Sequence, residues 1–380
     1  MNAVKNLFSL IADYIRETDK ILLLLVFAAS SFGAIAVLSA TAYTGSIDEF
    51  ITQIFAMLIG LAAAIFISNI NYKTMLKHWF VAGAIGLIPV ILTFFIGYAP
   101  EGTDDKAWLL LPGGMSFQPA ELMKICFIIT FSAHISKVKK NINRPLYLLG
   151  LLLHGAFPVV LIHFQGDDGT ALVFAAMMVC MLFVAGLKLR YFIAAGIMGA
   201  VAVPLAYFFV MNEDQKARIL AIFNPNVNLQ GIGYQQWMGR IALANGGITG
   251  QGLFRGELTQ AQGIPEGHND FIFAAIGEEL GLLGCLAVLI LLSAICLRCV
   301  RISRMSEDES GMYIAVGMFA MLFAQSIINI GMCTSLLPVI GITLPFFSSG
   351  GSSLLCMMCG VGITLSVYIH RHSDTIYLYK

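Results

Sequence analysis

The stretch Ile21–Ile47, ILLLLVFAASSFGAIAVLSATAYTGSI, contains no charged side chain. A helix of about 20 predominantly apolar residues crosses the hydrocarbon layer of a membrane, so this stretch is predicted to be a membrane-spanning helix. The run is too long for the apolar segment of a signal peptide and lacks a small-residue cleavage pattern. We therefore expect the first helix to serve as the insertion signal.

The composition extends this conclusion to the whole chain. Hydrophobic residues make up 58% of the 380 residues and charged residues 12%, and the mean hydropathy is +0.83. These values exclude a soluble domain, and the zero net charge gives no indication of a nucleic-acid partner. Six further uncharged runs are each long enough for one membrane helix: Phe50–Tyr72, His78–Pro100, Pro145–Gly166, Gly169–Leu187, Tyr191–Asn212 and Leu280–Leu297.

The remaining helices are predicted from two less regular segments. Ser310–His370 contains no Lys, Arg, Asp or Glu and is long enough for two spans, with Pro338, Pro345 and the cluster Ser348–Ser353 marking the turn between them. Gln118–Ser136 is apolar except for one acidic and one basic residue. The sequence thus predicts an all-α integral membrane protein with about ten transmembrane helices in a single polytopic domain, residues 1–380.

The distribution of basic residues orients these helices. With the N-terminus inside, sixteen of the twenty-two Lys and Arg residues fall on the inner side, as expected for cytoplasmic segments. Both termini are therefore predicted to be cytoplasmic. One outer segment, about residues 213–269 between helices 7 and 8, is long and polar. A loop of this length is expected to contain short helices and to house extracytoplasmic chemistry.

The sequence PEGHNDF at Pro265–Phe271 joins this loop to the eighth helix. Asp270 lies at the boundary, where partial loss of water raises the proton affinity of a carboxylate towards that of a working base. His268 is either its acid–base partner or a solvated loop residue. Glu278 and Glu279 lie about two helical turns after Asp270. They either contribute to helix packing or have a functional role.

Glu121 and Lys124 are spaced so that they share one face of the predicted fourth helix. An ion pair within a membrane either holds neighbouring helices together or faces a water-filled or substrate-lined cavity. The sequence leaves both interpretations open.

Two polar groups at predicted outer turns complete the candidate residues. Asp167 and Asp168 precede Gly169 and Thr170. They are either solvated loop charges, with Asp168 placed to cap the next helix, or ligands of a cation or a metal–pyrophosphate group. Lys106 and Trp108 lie at headgroup level, where Trp is an interface anchor and a cation can meet phosphate. The eight cysteines suggest neither disulfides nor a metal site.

Four motifs in this order resemble the RodA/FtsW/SpoVE family of shape, elongation, division and sporulation proteins. The resemblance covers nearly the whole chain. The motifs are FQPAELMK at Phe117–Lys124, Asp167 with GTAL at Gly169–Leu172, the segment Pro265–Gly281, and LLPVIGITLPFFSSGGSS at Leu336–Ser353.

The resemblance implies a ten-helix glycosyltransferase in the bacterial cell membrane, with its active site facing outward. It implies that lipid II is polymerised into β-1,4-linked glycan strands beside a class B penicillin-binding transpeptidase. Asp270 matches the proposed catalytic base, and Glu121 with Lys124 matches a buried pair at the substrate cavity. The supporting residues expected around that cavity are Lys106, Trp108, Gln118, Asp167, Asp168, Thr170, His268, Glu278, Glu279, Ser348 and Ser349.

Cations are expected to stabilise the departing pyrophosphate, with Lys106 or a divalent ion, Mg²⁺ or Mn²⁺, as the candidate. The chain departs from the family pattern at Gly166, Asp168, Ala107, Met238, Gly239 and Gly267. A lipid II flippase and a non-catalytic scaffold for the transpeptidase are the alternative functions. The motifs do not distinguish elongation from division or sporulation.

Overall fold

The computed structural model describes residues 14, 16–99, 105–110, 116–223 and 232–372. Within these ranges the chain is almost entirely helical. The helices are α1 Lys20–Ala40, α2 Asp48–Ser68, α3 Tyr72–Lys77, α4 Trp79–Ile96, α5 Pro119–Val138, α6 Pro145–His163, α7 Asp168–Val184, α8 Leu189–Phe209, α9 Glu213–Phe223, α10 Ile232–Gly246, α11 Glu257–Gln260, α12 Ile272–Met305, α13 Glu309–Cys333 and α14 Gly351–Ile369.

Ten of these helices coincide with the ten predicted spans. In the described part of the chain, eight are long and apolar enough to cross a membrane: α1, α2, α4, α6, α8, α12, α13 and α14. The apolar helix α7 has 17 residues, and α5 has 20 residues but carries the two predicted charges. The all-α membrane class is confirmed, whereas the number of crossings and their orientation stay predictions.

Some helices differ in length from the predicted spans. Helix α12 extends beyond the expected span Leu280–Leu297 at both ends, because it runs from Ile272 to Met305 and includes Glu278 and Glu279. These two carboxylates interrupt the apolar pattern in the sequence, but both are buried in the structure. Pro100, the predicted end of the third span, lies outside the described residues.

The only sheet among the described residues is a short hairpin before α5. Strands β1, Leu109–Leu110, and β2, Ser116–Phe117, pair antiparallel. An isolated bridge joins Tyr98 to Trp108 next to it. The hairpin thereby brings the outer loop after α4 to the N-terminal end of α5.

The interior of the protein is formed mainly by α5, α13 and α14. In the most apolar 18-residue stretch of each helix, 72% of the residues are buried in α13 and 67% in α14. In α8 none of these residues is buried. Helix α8 therefore lies at the periphery of the protein, attached mainly near its start, where Phe192 packs against Phe183. The segment between α13 and α14 is non-helical, as its prolines and glycines predict.

The predicted short helices in the long outer segment are present as α9, α10 and α11. This segment is attached to α12 at a kink. Gly281 has φ 65° and ψ −161°, values outside the helical region, and it divides α12 into two parts. The kink removes the helical hydrogen bonds between residues 278 and 282 and between residues 279 and 283.

Backbone groups of the outer segment replace these lost bonds. Gln251 N–H donates to Glu278 O at 3.0 Å, and Gly252 N–H donates to Glu279 O at 2.9 Å. Leu282 N–H donates to Gly247 O at 2.9 Å, and Leu283 N–H donates to Ile248 O at 3.2 Å. Because backbone groups freed within a membrane helix need internal partners, these bonds make the kink tolerable.

The side chains of Glu278 and Glu279 strengthen the same attachment. Glu278 accepts hydrogen bonds from the Leu258 N–H at 2.9 Å, the Thr259 N–H at 2.8 Å and the Thr259 hydroxyl at 2.6 Å. Glu279 accepts from the Ser39 hydroxyl at 2.5 Å and from the Gln260 amide at 3.0 Å. The two carboxylates therefore join α12 to α11 and to the end of α1.

We expect Gly281→Ala to destabilise the protein by about 2–4 kcal/mol, because a positive φ strains alanine and its Cβ would meet rigid backbone. That Cβ would lie 2.4 Å from Gly250 N and 2.5 Å from Ile248 O. Thermal unfolding in detergent measures the effect. The matched control is Gly199→Ala on α8, where no atom lies within 4 Å of the added Cβ. Equal unfolding temperatures for the two variants would contradict the role of the kink.

Candidate functional site

Asp270 lies just before α12, and contacts from two other segments fix its backbone. The Asn329 side-chain amide on α13 donates to Asp270 O at 2.8 Å and to Ile342 O at 2.7 Å. The Cys333 thiol lies 3.5 Å from the same Asp270 oxygen. The backbone of Asp270 is therefore tied both to α13 and to the segment that follows it.

Ser348 and Ser349 hold the two residues that precede Asp270. The Ser348 hydroxyl donates to Asn269 O at 2.7 Å and accepts from Leu344 N–H at 2.7 Å. The Ser349 N–H donates to His268 O at 2.9 Å, and its hydroxyl donates to Glu49 at 2.6 Å. These two predicted site residues thus position the loop that carries Asp270.

The carboxyl group of Asp270 is half-buried beside Gly341 and Asp167. A Cβ on Gly341, whose φ is +65°, would lie 3.6 Å from Asp270 Oδ2. Burial raises the pKa of Asp270 to about 7, and the negative charges of Glu266 and Asp167 act in the same direction. A carboxyl group with this pKa is about half ionised near neutral pH, which suits a general base.

Asp167 is the N-cap of α7. Its Oδ1 accepts from Thr170 N–H at 2.8 Å, and its Oδ2 accepts from the Gln118 amide at 2.8 Å. Burial raises the pKa of Asp167 to about 6, opposed by the hydrogen bonds from Thr170 and by the charge of Lys124. Gln118, Asp167 and Thr170 are therefore brought together, as the motifs predicted.

The prediction that Asp168 caps this helix is wrong. Asp168 is the first helical residue, and the N-cap is Asp167, whose side chain accepts from Thr170 N–H. Its carboxylate instead lies 2.5 Å from His163 Nδ1 and accepts from the Gln215 amide at 2.9 Å. Asp168 therefore contacts α6 and α9.

Glu121 and Lys124 form a buried ion pair with a separation of 2.7 Å. Glu121 also accepts a hydrogen bond from the Ser353 hydroxyl at 3.2 Å, and Ser353 lies 3.4 Å from the Thr343 hydroxyl. The pair therefore joins α5 to the start of α14. Since the charge of Lys124 acts on Asp167, the pair also belongs electrostatically to the Asp270 region.

The other predicted residues occupy different surroundings. Lys106 is exposed and Trp108 is half-buried, with the Trp108 carbonyl accepting from Tyr98 N–H at 3.0 Å. This loop lies against α7, since a Cβ on Gly166 would be 2.7 Å from Asp105 Oδ1. His268 is half-buried and contributes its carbonyl to Ser349. Glu278 and Glu279 contact α11 and α1, which agrees with the packing interpretation.

The described residues do not by themselves form a metal centre. No group of three or more His, Cys, Asp or Glu side chains within the described ranges is placed to hold a metal ion. Asp167 and Asp270 offer two carboxylates, and their mutual repulsion raises the pKa of Asp270. Mg²⁺ is commonly bound by one or two carboxylates together with the phosphates of a substrate, so the divalent cation stays a prediction.

Asn329 is a site residue that the sequence analysis missed. It is fully buried and lies in the long uncharged segment that was assigned only as membrane helix. Burying an asparagine without hydrogen-bond partners costs free energy. An asparagine within this apolar segment therefore indicated that its side chain has specific partners in the fold.

The chain matches the family model described as cell cycle protein, FtsW/RodA/SpoVE, over residues 19–373. It is 34% identical to "Probable peptidoglycan glycosyltransferase FtsW" of Geobacter sulfurreducens (strain DL-1 / KN400) over 364 residues, which cover 93% of this chain and 95% of that protein. It is 31% identical to "Peptidoglycan glycosyltransferase MrdB" of Escherichia coli (strain K12) over 360 residues, covering 93% and 94%.

Solved structures share the fold. One chain, from a study of "Structural coordination of polymerization and crosslinking by a peptidoglycan synthase complex", has a TM-score of 0.81 at 26% identity and covers 94% of this chain and 99% of its own length. The crystal structure of the Thermus thermophilus rod shape determining protein RodA has a TM-score of 0.69 at 24% identity, with 93% and 98% covered. At that identity the second likeness supports the fold alone.

We expect Asn329→Leu to destabilise the protein by about 2–4 kcal/mol, because it leaves two buried carbonyl groups without their donor. We also expect it to lower any activity that depends on Asp270. Gln325→Leu is the matched control, since Gln325 is buried one turn earlier on α13 and neither of its amide atoms has a hydrogen-bond partner. Unfolding temperature and activity are measured on both variants. Similar effects of the two substitutions would contradict the proposed tether.

Proposed function

The chain belongs to the FtsW/RodA/SpoVE family, and we infer from this membership that it is a peptidoglycan glycosyltransferase, a membrane enzyme that acts on lipid II. We infer the mechanism from the environment of Asp270. The peptide groups of Asp270 and Asn269 are held by α13 and by Ser348, and the carboxyl group of Asp270 has a pKa of about 7. A carboxylate of this kind is suited to remove a proton from a sugar hydroxyl.

In the proposed reaction, Asp270 takes the proton of the acceptor sugar 4-hydroxyl. The resulting oxygen nucleophile attacks the anomeric carbon of the donor, and a new C–O bond forms. The bond between that carbon and the diphosphate oxygen breaks, and its electron pair leaves with the diphosphate. One displacement at an α-linked donor gives a β-1,4 linkage, as in inverting sugar chemistry.

Asp167 supports the base electrostatically in this proposal. Its negative charge is one of the causes that raise the pKa of Asp270. The proton acquired during the reaction is therefore held more firmly than it would be by a solvated aspartate. The hydrogen bonds from Gln118 and Thr170 keep the Asp167 carboxylate in place.

The apolar helices supply the surroundings that such a substrate needs. The protein is a multi-pass membrane protein, and we propose that it lies in the bacterial cytoplasmic membrane with Asp270 on the outer side. The undecaprenyl tail of lipid II would lie against the lipid-facing helices. A class B penicillin-binding transpeptidase is the proposed partner, supported by the likeness to a chain of a peptidoglycan synthase complex.

The departing diphosphate needs positive charge. Lys106 is a candidate, because it is exposed on the loop that lies against Gly166. We retain Mg²⁺ or Mn²⁺ as a proposed cofactor, to be tested by adding EDTA to the polymerisation assay. Within the described ranges no group of three or more acidic, His or Cys side chains would hold the ion alone, so we propose that phosphate oxygens of the substrate complete its ligands.

We expect Asp270→Asn to lower the rate of glycan-strand formation by about 10²–10⁴-fold, the usual contribution of a general base. The assay supplies labelled lipid II and a transpeptidase partner and resolves strands on a gel. Asp48→Asn is the control, because Asp48 is exposed at the start of α2 and its carboxylate accepts a hydrogen bond from the Ser46 hydroxyl. Parent-rate polymerisation by a folded Asp270→Asn variant would rule out the assigned base. Intact lipid II with the parent and partner present would favour a flippase or scaffold.

The pH dependence of the reaction provides a second test. A base must be ionised to act, so we expect kcat/KM to rise with pH and to reach half its maximum near pH 7, the pKa of Asp270. Glu266→Gln removes one of the negative charges that raise this pKa, so the midpoint should move to lower pH. The same midpoint in both proteins would contradict this electrostatic account.

A further inference from the structure

The charges around Asp270 do not suit a diphosphate. Asp270 and Asp167 are both acidic, and the positive charge of Lys124 is already opposed by Glu121 at 2.7 Å. A diphosphate beside these carboxylates would be repelled unless further cations were present. The inference below rests on the proposed function, because that function places a diphosphate here.

Five basic residues belong to the predicted outer segments, and three of them are poorly placed. Lys216 is paired with Glu213 at 3.0 Å. Arg240 lies over the Trp237 ring, 6.0 Å from its centroid, on α10. Arg255 is exposed near Gly252, on the side of the outer segment attached to the α12 kink. Lys106 and Arg218 remain, and Lys106 is the candidate already named.

Arg218 lies on α9, which contacts both sides of the Asp270 region. The Gln215 amide donates to Asp168 Oδ2 at 2.9 Å, and Asp168 directly follows Asp167. The Arg218 guanidinium donates to Val339 O at 3.2 Å, and Val339 is two residues before Gly341. Helix α9 is therefore bonded both to the N-terminal end of α7 and to the segment that follows α13.

The N-terminal end of α7 and the segment that follows α13 also contact each other directly. A Cβ on Gly169 would lie 2.3 Å from Ile340 O and 2.8 Å from the Ile342 side chain. The N-terminal end of α7, which Asp167 caps, is therefore packed against the same segment to which Arg218 is bonded. Arg218 and Asp270 contact neighbouring parts of this one segment.

The distance between Arg218 and Asp270 is limited by the short segment beside which both lie. In an inverting displacement the leaving group departs on the side opposite the nucleophile, and the two catalytic groups of inverting glycosidases are about 6.5–9.5 Å apart. Two residues of extended chain span at most about 7 Å. Val339, whose carbonyl accepts from Arg218, and Gly341, where an added Cβ would lie 3.6 Å from Asp270 Oδ2, therefore belong to one short stretch of chain.

The charge of Arg218 is available for an anion. Within the described ranges its side chain donates to a neutral carbonyl and forms no ion pair. A guanidinium has five N–H donors, so most of them remain for a second ligand. Arginine binds phosphate groups through two parallel hydrogen bonds, which gives both affinity and orientation.

We propose that Arg218 binds the diphosphate of the polyprenyl-linked donor and stabilises it as it leaves. When the bond between the anomeric carbon and oxygen breaks, its electron pair adds negative charge to the diphosphate. The guanidinium N–H groups of Arg218 donate to that charge. Helix α9 thereby places a specific cation opposite Asp270.

Direct binding tests this proposal without any need for turnover. The probes are farnesyl diphosphate and farnesyl monophosphate, and their affinities for the full chain in detergent are measured by titration calorimetry. We expect the parent to prefer the diphosphate, and Arg218→Gln to reduce that preference by about tenfold, the scale of one hydrogen bond to a charged group. Arg218→Lys should retain part of it. The control Arg255→Gln should keep the preference of the parent.

Two results would overturn the proposal: a parent that does not distinguish the probes, and an Arg218→Gln variant that keeps the parent's preference. Glutamine retains a donor for Val339 O, so a purely structural role of Arg218 predicts this second result. Unfolding temperatures of all variants show whether they are folded, and Arg218→Lys serves as the test if Arg218→Gln is not. A parent that binds the diphosphate selectively but forms no strands would contradict the proposed function and leave this inference intact.

Discussion

Backbone groups of a membrane helix must find hydrogen-bond partners within the protein, and this constraint shapes the region around α12. The kink at Gly281 removes two helical hydrogen bonds, and the residues around Gly247 and Gly252 replace them with four bonds to the outer segment. Glu278 and Glu279 add side-chain bonds to the same attachment. The outer segment is consequently joined to the helix that begins beside Asp270.

A half-buried carboxyl group is tolerated at Asp270 because its backbone, rather than its side chain, carries the structural contacts. Asn329 and Ser348 fix the peptide groups of Asp270 and Asn269. The carboxyl group itself is left near other carboxylates, and its pKa rises to about 7. The free energy that burial and repulsion cost is offset by surrounding packing, and the result is a group with the proton affinity of a base.

The sequence predicted the location of the site better than its detailed contacts. Asp270 and the Glu121–Lys124 pair were singled out because charged residues at or within apolar segments are conspicuous, and Gln118 because it belongs to a motif shared with the family; their roles stay predictions. The interpretation of Asp168 as a helix cap was wrong. The sequence does not show which of two adjacent aspartates precedes the first helical residue, and in the structure that residue is Asp167. Asn329 and the contacts of Arg218 were missed, since their partners are backbone carbonyls far away in the chain.

The amino-acid sequence by itself determined the membrane class, the positions of the ten long helices and the presence of helices in the outer segment, because hydrophobic length and helix-breaking residues act locally. Only the tertiary structure decided which carboxylates face one another. The separation of Asp270 from Asp167, and of Arg218 from Val339, depends on how distant segments pack. Charge interactions follow distance in space rather than distance along the chain, so the chemistry of the site became definable only once α7, α9, α12 and α13 were in place.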